Sequence, residues 1–226
     1  MRTIIALFVW LFVSMPALAT GISALSDEDA ANGMKQALTQ GAGVAVNKLG
    51  VANGFLKNPE VKIQLPGTLQ QVGGVMRSLG MGKYTEGLIV AMNHTAETAA
   101  AEAGSLLADA VKKMPVEDPK KILAGGDEAA TQYFRETTSD ELAQKLLPIV
   151  KKATDQAGLL RKYNEFAGKG AKLGLVAEKD ANIESYVTQK TLEGIYLIMA
   201  EEEHLIRNDP MSQESELLRK VFGSLK

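Results

Sequence analysis

The sequence predicts an all-α protein: an irregular multi-helix bundle with at most one short extended segment, near residues 61–65. Three observations carry this. Apolar residues recur at spacings of three and four through most of the chain, the period of one helix face. Alanine, leucine, lysine and glutamate, which helices prefer, are plentiful, whereas aromatic residues make up only 5%. Capping residues, glycines and prolines punctuate the chain between periodic stretches, and a clear period of two is confined to five residues.

The first nineteen residues stand apart from the bundle. Arg2 gives a basic start, Ile4 to Val13 is an unbroken apolar run, Pro16 breaks it, and Ala17-Leu18-Ala19 ends it with small residues flanking a larger one. This is the order of a secretory signal peptide. As a helix the apolar run rises only ~15 Å, about half of the ~30 Å hydrocarbon core, too short for a span. Cleavage is expected after Ala19, leaving residues 20–226 as a single helical domain in the periplasm, with no integral membrane span.

The formal net charge is −2. Removing Arg2 with the signal takes it to −3, so nothing draws the chain toward nucleic acid. The absence of cysteine excludes disulfides, thiolate zinc sites, a cysteine nucleophile and an N-terminal lipid anchor on cysteine. The only tryptophan, Trp10, lies in the signal.

The first helix of the mature chain opens at Ser26-Asp27-Glu28-Asp29, a capping-box-like start with acids in the first turn. Ala30, Met34, Leu38, Ala42, Ala45 and Leu49 trace its inner face, and Gly50 stops it. Asn53-Gly54 and Asn58-Pro59 mark a loop. Val61, Ile63 and Leu65 alternate with Lys62 and Gln64 before Pro66-Gly67. Five residues cannot form a sheet alone, so an extended segment lying on helices is expected.

Leu69, Val72, Met76 and Leu79 predict a short second helix ended by Gly80-Met81-Gly82. A long helix is expected from about Lys83 to Lys113, with Leu88, Met92, Thr95, Ala99, Ala103, Leu106 and Ala110 along one stripe. Its alanines would let another helix approach closely. Pro115 and Pro119 bound a linker, with Asp118 expected to cap a helix that has Pro119 at its first position. Residues 120–137 read as short and irregular. Thr138-x-x-Glu141 reads as a capping box that opens a helix running through Ala157, with a kink expected at Pro148.

Leu159 to Leu173 reads as a smaller helix weakened by Gly168 and Gly170. The last long helix runs from about Ala181 to Asn208, where Val187, Thr191, Ile195, Met199, Glu202 and Ile206 trace one face beside Leu192, Tyr196 and Leu205. Pro210 ends it. Leu217, Leu218, Val221 and Phe222 form a short amphipathic tail.

Several motifs match functional signatures only in part. Gly125-Gly126-Asp127-Glu128-Ala129 is similar to the start of the bacterial diguanylate cyclase signature. Ala129 stands where that signature has phenylalanine, and no strands flank it, so a glycine stop followed by an aspartate cap is expected. Gly80-x-Gly82-Lys83 lacks the remainder of a phosphate loop. Glu201-x-x-His204 supplies one carboxylate–imidazole pair where bundle di-metal sites need two with further glutamates. Instead, Glu203 and Arg207 are expected to pair on a solvated helix end. His94, the other histidine, stands in reverse order to Glu97. Asn93-His94-Thr95 is a glycosylation triplet by chance. No metal site and no cofactor are predicted.

The densest polar-aromatic segment is Thr131 to Asp140. With Asp127 just before it, Asp127, Tyr133, Arg135 and Asp140 are the candidate ligand-binding residues. The competing reading is a hydrogen-bonded helix junction in which Arg135 is buried against a carboxylate such as Asp140 or Glu136.

The chain resembles a bacterial family called domain of unknown function 4197. The segments that carry the resemblance are FLKNPEVKIQLP at 55–66, LGMGKY at 79–84, KKILAGGDEAATQYFRETTSDEL at 120–142, LPIVKKATDQ at 147–156, YNEFAGK at 163–169 and YVTQKTLEGIYLIMAEEE at 186–203. The resemblance implies an exported, mainly helical protein of Gram-negative-type bacteria. It implies no activity and carries over no functional residue.

The leading functional expectation is therefore an exported periplasmic helical protein that binds a small ligand or a protein partner without catalysis. A hydrolase-type enzyme using carboxylate, tyrosine and arginine chemistry around residues 127–140 is the first alternative. An envelope-associated protein acting through the amphipathic C-terminal tail is the second.

Overall fold

The computed structural model describes residues 21–67, 82–156, 158, 163 and 182–226. Its helices are α1 (Asp27–Leu49), α2 (Gly82–Glu102), α3 (Gly104–Lys113), α4 (Pro119–Leu123), α5 (Ala129–Gln156), α6 (Ile183–Asn208) and α7 (Glu216–Gly223). Short 3₁₀ turns lie at Gly21–Ala24 and Pro210–Ser212, and no strand occurs among the described residues. The signal-like residues 1–19 and the expected helices at Leu69–Leu79 and Leu159–Leu173 fall outside the described residues, apart from Tyr163.

Helix α1 follows its sequence signals closely. Ser26 Oγ accepts from Asp29 N at 2.9 Å, Gly50 closes the helix, and every residue of the expected inner face is buried. α6 is the central helix, packed against α1, α2, α5 and α7. Buried residues from all seven helices join one hydrophobic cluster.

The 61–65 segment is extended but pairs with no strand. Val61, Ile63 and Leu65 point inward, and Gln64 is exposed. The Asn93 side chain takes the place of a neighbouring strand. Its Oδ1 accepts from Ile63 N at 2.9 Å, and its Nδ2 donates to Ile63 O at 2.9 Å and to Ile89 O at 2.7 Å. One turn further on, buried Glu97 accepts from Phe55 N and Leu56 N at 3.1 and 3.0 Å. Gly194 of α6 admits this loop: a Cβ there would stand 2.8 Å from the Phe55 ring. Asn93 is fully buried, so the glycosylation triplet is inaccessible.

The structure departs from the sequence expectations at four places. The long helix expected from Lys83 to Lys113 is broken at Ala103, between α2 and α3. Before the break the expected stripe is buried through Ala99 and Ala103. After it, Leu107 and Val111 are buried instead of Leu106 and Ala110, a rotation of one residue. Gly104 favours the break, because a glycine within a helix costs about 0.5–1 kcal/mol relative to alanine. The alanines do admit a neighbour: a Cβ on Gly50, at the end of α1, would lie 2.8 Å from Ala101 Cα.

Asp118 precedes Pro119 as expected, but it is left-handed (φ 49°) and its side chain makes no capping bond. The helix expected to open at Thr138 begins nine residues earlier, at Ala129, and residues 129–137 are helical rather than irregular. Thr138 lies inside it, donating to Phe134 O at 2.6 Å. The helix continues through Pro148. Toward the end of α6 Glu203 is buried rather than Glu202, and Leu205 is exposed.

Candidate functional site

Helices α5 and α6 lie side by side, and the polar segment expected to hold the site lines the groove between them. Their alignment is fixed at one end by Glu203. Its Oε1 accepts from Ala130 N at 3.0 Å, and its Oε2 accepts from Thr131 N at 2.7 Å and Thr131 Oγ1 at 2.8 Å. The first amides of a helix have no partner within it. Here a carboxylate from a distant helix satisfies them, and the aligned peptide dipoles favour its charge. The expected cap, Asp127, is exposed and lies beside His204 instead.

Arg207 compensates the buried carboxylate. Its Nε and Nη2 donate to Glu203 Oε1 at 2.9 and 2.7 Å, and its Nη1 donates to Leu123 O at 2.9 Å. The guanidinium also lies 5.5 Å from the centroid of the Phe222 ring. The Glu203–Arg207 pair is thus present as expected but buried, with side chains 3% and 9% exposed, rather than solvated.

Further along, Phe134 meets Tyr196 edge to face, with centroids 6.0 Å apart. Tyr196 is only 4% exposed, and its hydroxyl has no hydrogen-bond partner among the described residues. Burial pushes that hydroxyl up to about 12, with nearby Thr138 and Arg135 pulling weakly the other way. The Thr138 hydroxyl proton is already committed to Phe134 O.

Above the ring lies Arg135, its guanidinium carbon 5.9 Å from the Tyr196 centroid. That is within cation–π range. Arg135 is exposed and, among the described residues, has no carboxylate within 4 Å. The expected buried pairing with Asp140 or Glu136 is therefore not made. Glu136 instead accepts from Gln132 Nε2 at 2.9 Å. Arg135 stands where three surface depressions meet: one along α5 and α6, one toward Gln132 and Leu197, and one toward Gln64 and Tyr186.

The first depression is a groove of about 380 Å³. That is within the 300–1,000 Å³ typical of ligand pockets. Ala143, Leu147, Leu192 and the Tyr196 ring supply its apolar lining, and Arg135, Asp140, Gln144 and Gln189 supply polar groups. Glu193 also borders it but is held by Lys190.

The four candidate residues therefore divide. Arg135 and Asp140 share the groove. Tyr133 turns the other way and donates to Pro115 O at 2.9 Å, tying α5 to the linker after α3. Asp127 lies beyond the helix start, 3.3 Å from His204 Nδ1, and borders a separate depression that includes Arg207 and Lys226. Sequence reasoning placed Tyr196 beside the main apolar face of its helix and did not see it as the groove's floor. It also missed Gln144, Gln189 and Glu193. The signal available was the α6 periodicity, which places Leu192 and Tyr196 side by side.

The remaining motif residues have local partners. Glu201 pairs with Lys48 at 3.7 Å, His94 Nδ1 lies 2.8 Å from Glu97 Oε2, and His204 Nε2 lies 2.7 Å from Asn208 Nδ2. Among the described residues no three histidine, aspartate or glutamate side chains gather into a metal-binding group. No described helix is long and apolar enough to cross a membrane.

The chain belongs to the family described as "Protein of unknown function (DUF4197)", which it matches over residues 24–223. No curated protein and no solved structure matches it.

Proposed function

We propose that this protein is an exported, periplasmic binding protein: residues 1–19 direct it across the inner membrane, and the α5–α6 groove holds its ligand or partner without chemistry. The observation that carries the reading is Arg135, a cation without a counter-charge among the described residues, laid over an aromatic ring at the meeting of three depressions. A purely structural arginine is normally satisfied by a carboxylate or by carbonyls, as Arg207 is here.

The geometry gives the enzymatic alternative less support. Hydrolase chemistry at 127–140 needs Asp127, Tyr133, Arg135 and Asp140 to converge on one reacting atom, and only Arg135 and Asp140 border the same groove. Asp127, Tyr133 and Arg135 face three different surroundings. The tail-anchored alternative needs a free apolar face on α7. Leu218, Val221 and Phe222 are fully buried, with Val221 against α1 at Gly33.

Native mass spectrometry of protein taken gently from the envelope fraction of its own host tests the proposal. The expected polypeptide begins at Thr20 and carries a non-covalent adduct. The adduct is lost in Arg135→Ala and kept in Lys145→Ala, a change at an exposed lysine outside the groove. A mass that retains residues 1–19 would overturn export with cleavage, and an adduct indifferent to Arg135 would overturn the assigned groove.

A further inference from the structure

We propose that the open edge of the extended segment at 61–65 docks an extended stretch of a partner protein, one that alternates apolar and polar side chains and places an acidic residue beside Lys62. The depression along this edge is one of the three that meet at Arg135. The inference therefore rests on the binding reading above and names the class of partner.

The backbone is the first support. In an extended chain the N–H and C=O of one residue point to one side, and those of the next residue point to the other. Ile63 commits both of its groups to Asn93, on the α2 side. Lys62 and Gln64 therefore face the opposite way, toward α6, where the Tyr186 hydroxyl donates to Gln64 O at 3.0 Å. Lys62 N is also engaged, donating to Asn58 O at 2.9 Å. Between these two bonds Lys62 C=O and Gln64 N–H have no partner among the described residues. They are the acceptor and donor that flank Ile63, the pair through which a neighbouring strand would bond. A partner backbone offering one N–H and one C=O fills this gap.

The depression beside the edge is the second. It holds about 460 Å³ over the outer surface of α6, and Leu197, 39% exposed, lies in it. A strand laid along the edge sends alternate side chains to opposite faces. One apolar side chain then covers Leu197, and its neighbour points outward, on the face where the Lys62 and Gln64 side chains reach solvent.

Charge is the third. Of the charged groups that border the depression, Lys190 and Glu193 hold each other. Glu60, Lys62 and Arg135 make no ion pair among the described residues. Two cations thus stand against one anion, which an acidic residue of the partner balances. A basic residue there would face Lys62 across the pair of strands, and like charges so placed are destabilising.

Amide resonances of isotopically labelled protein, purified from cells expressing the full chain, provide the test. The probe is the peptide acetyl-Thr-Val-Glu-Val-Thr-amide, with valines on one face and glutamate on the other. At millimolar concentration it should shift the Gln64 amide saturably and slow its exchange with solvent. The same peptide with lysine in place of glutamate should bind about three- to tenfold more weakly, the scale of exposed charge pairs. In Lys62→Glu that preference should be lost. A probe N-methylated at its glutamate and valines offers no N–H to Lys62 and should leave Gln64 unmoved.

No shift at Gln64, equal binding of the glutamate and lysine probes, or an undiminished response to the N-methylated probe would each overturn the assignment. So would a Gln64 amide already slow to exchange without peptide, because the chain then covers its own edge. A Gln64 resonance that moves with protein concentration alone would give the edge to a second copy instead. These outcomes are read on the unsubstituted protein and do not depend on the variant folding. If Gln64 stays unmoved while the Arg135-dependent adduct from the native host persists, this inference falls and the binding reading stands.

Discussion

Replacing Glu203 with glutamine should cost this protein more stability than any single exposed change. The carboxylate accepts from two backbone amides and one hydroxyl at the start of α5 and from two arginine nitrogens one turn away. Glutamine keeps one acceptor oxygen and replaces the other with an NH₂ group. Whichever way the amide turns, a donor then faces either Arg207 or the Thr131 N–H. Arg207, 9% exposed, is also left as an uncompensated buried charge. Breaking such a pair costs about 3–5 kcal/mol. For a chain of this size each kcal/mol lowers the melting temperature by about 2–4 °C, so a drop of roughly 6–20 °C is expected. Urea denaturation followed by circular dichroism gives the free energy, and amide exchange at Ala130 and Thr131 gives the location. Glu141→Gln, at an exposed i,i+4 pair, is the control and should leave the midpoint nearly unmoved. The reasoning fails if Glu203→Gln melts within 2 °C of the parent, or if the Ala130 and Thr131 amides keep their protection.

Other perturbations should separate groove residues from those that hold the fold. Arg135→Ala removes an exposed cation whose only described contact is a ring, worth about 0.5–1 kcal/mol, so its melting temperature should fall by no more than a few degrees. A larger loss would restore a structural role to Arg135. Asn93→Ala should cost about 2–6 kcal/mol, because it orphans the N–H and C=O of buried Ile63 at ~1–3 kcal/mol each; faster exchange at the Ile63 amide would accompany it. Tyr196 has a folded pKa near 12, above its unfolded value of about 10. The stability linked to its neutral hydroxyl is therefore complete below pH 10 and is lost as pH rises from there through 12. A spectrophotometric titration at 295 nm should show a late-titrating tyrosine that is lost in Tyr196→Phe. An unshifted titration would contradict the burial.

The legible parts of this fold are those whose signals are local. Ser26 and Asp29 set the start of α1 within a single turn, and the apolar spacing from Ala30 to Leu49 describes its buried face directly. The alternation at Val61, Ile63 and Leu65 likewise marks a real inside and outside. What it cannot disclose is the identity of the pairing group, which is the amide of Asn93 rather than a strand. The start of α5 is illegible for the same reason. Its cap comes from Glu203, seventy-three positions away in sequence, while Thr138-x-x-Glu141 imitates a local cap. A threonine inside a helix can bond back to the carbonyl four residues earlier, and Thr138 does so.

That misplaced helix start carries through to the candidate site. In an irregular segment, Tyr133, Arg135 and Asp140 are free to gather. In a helix each residue turns by about 100°, so Tyr133 and Arg135 are about 200° apart around the axis. Thr131, Phe134, Thr138, Leu142, Leu146 and Val150 form the buried stripe of α5. Arg135 lies on one flank of that stripe and Tyr133 on the other, which is why one overhangs the groove and the other reaches Pro115. Proximity to Phe134 in sequence therefore implies nothing about burial of Arg135. A residue adjacent to a core position in a helix lands at its border, where the aliphatic stem lies along the core and the charge reaches solvent. Asp140, two residues from both Thr138 and Leu142, is about 200° from each and lies on the solvent side of α5. The groove follows from the row that Arg135 begins at that border, Ser139, Ala143 and Leu147 at successive turns, together with the Tyr196 ring that a second, distant helix supplies beside it.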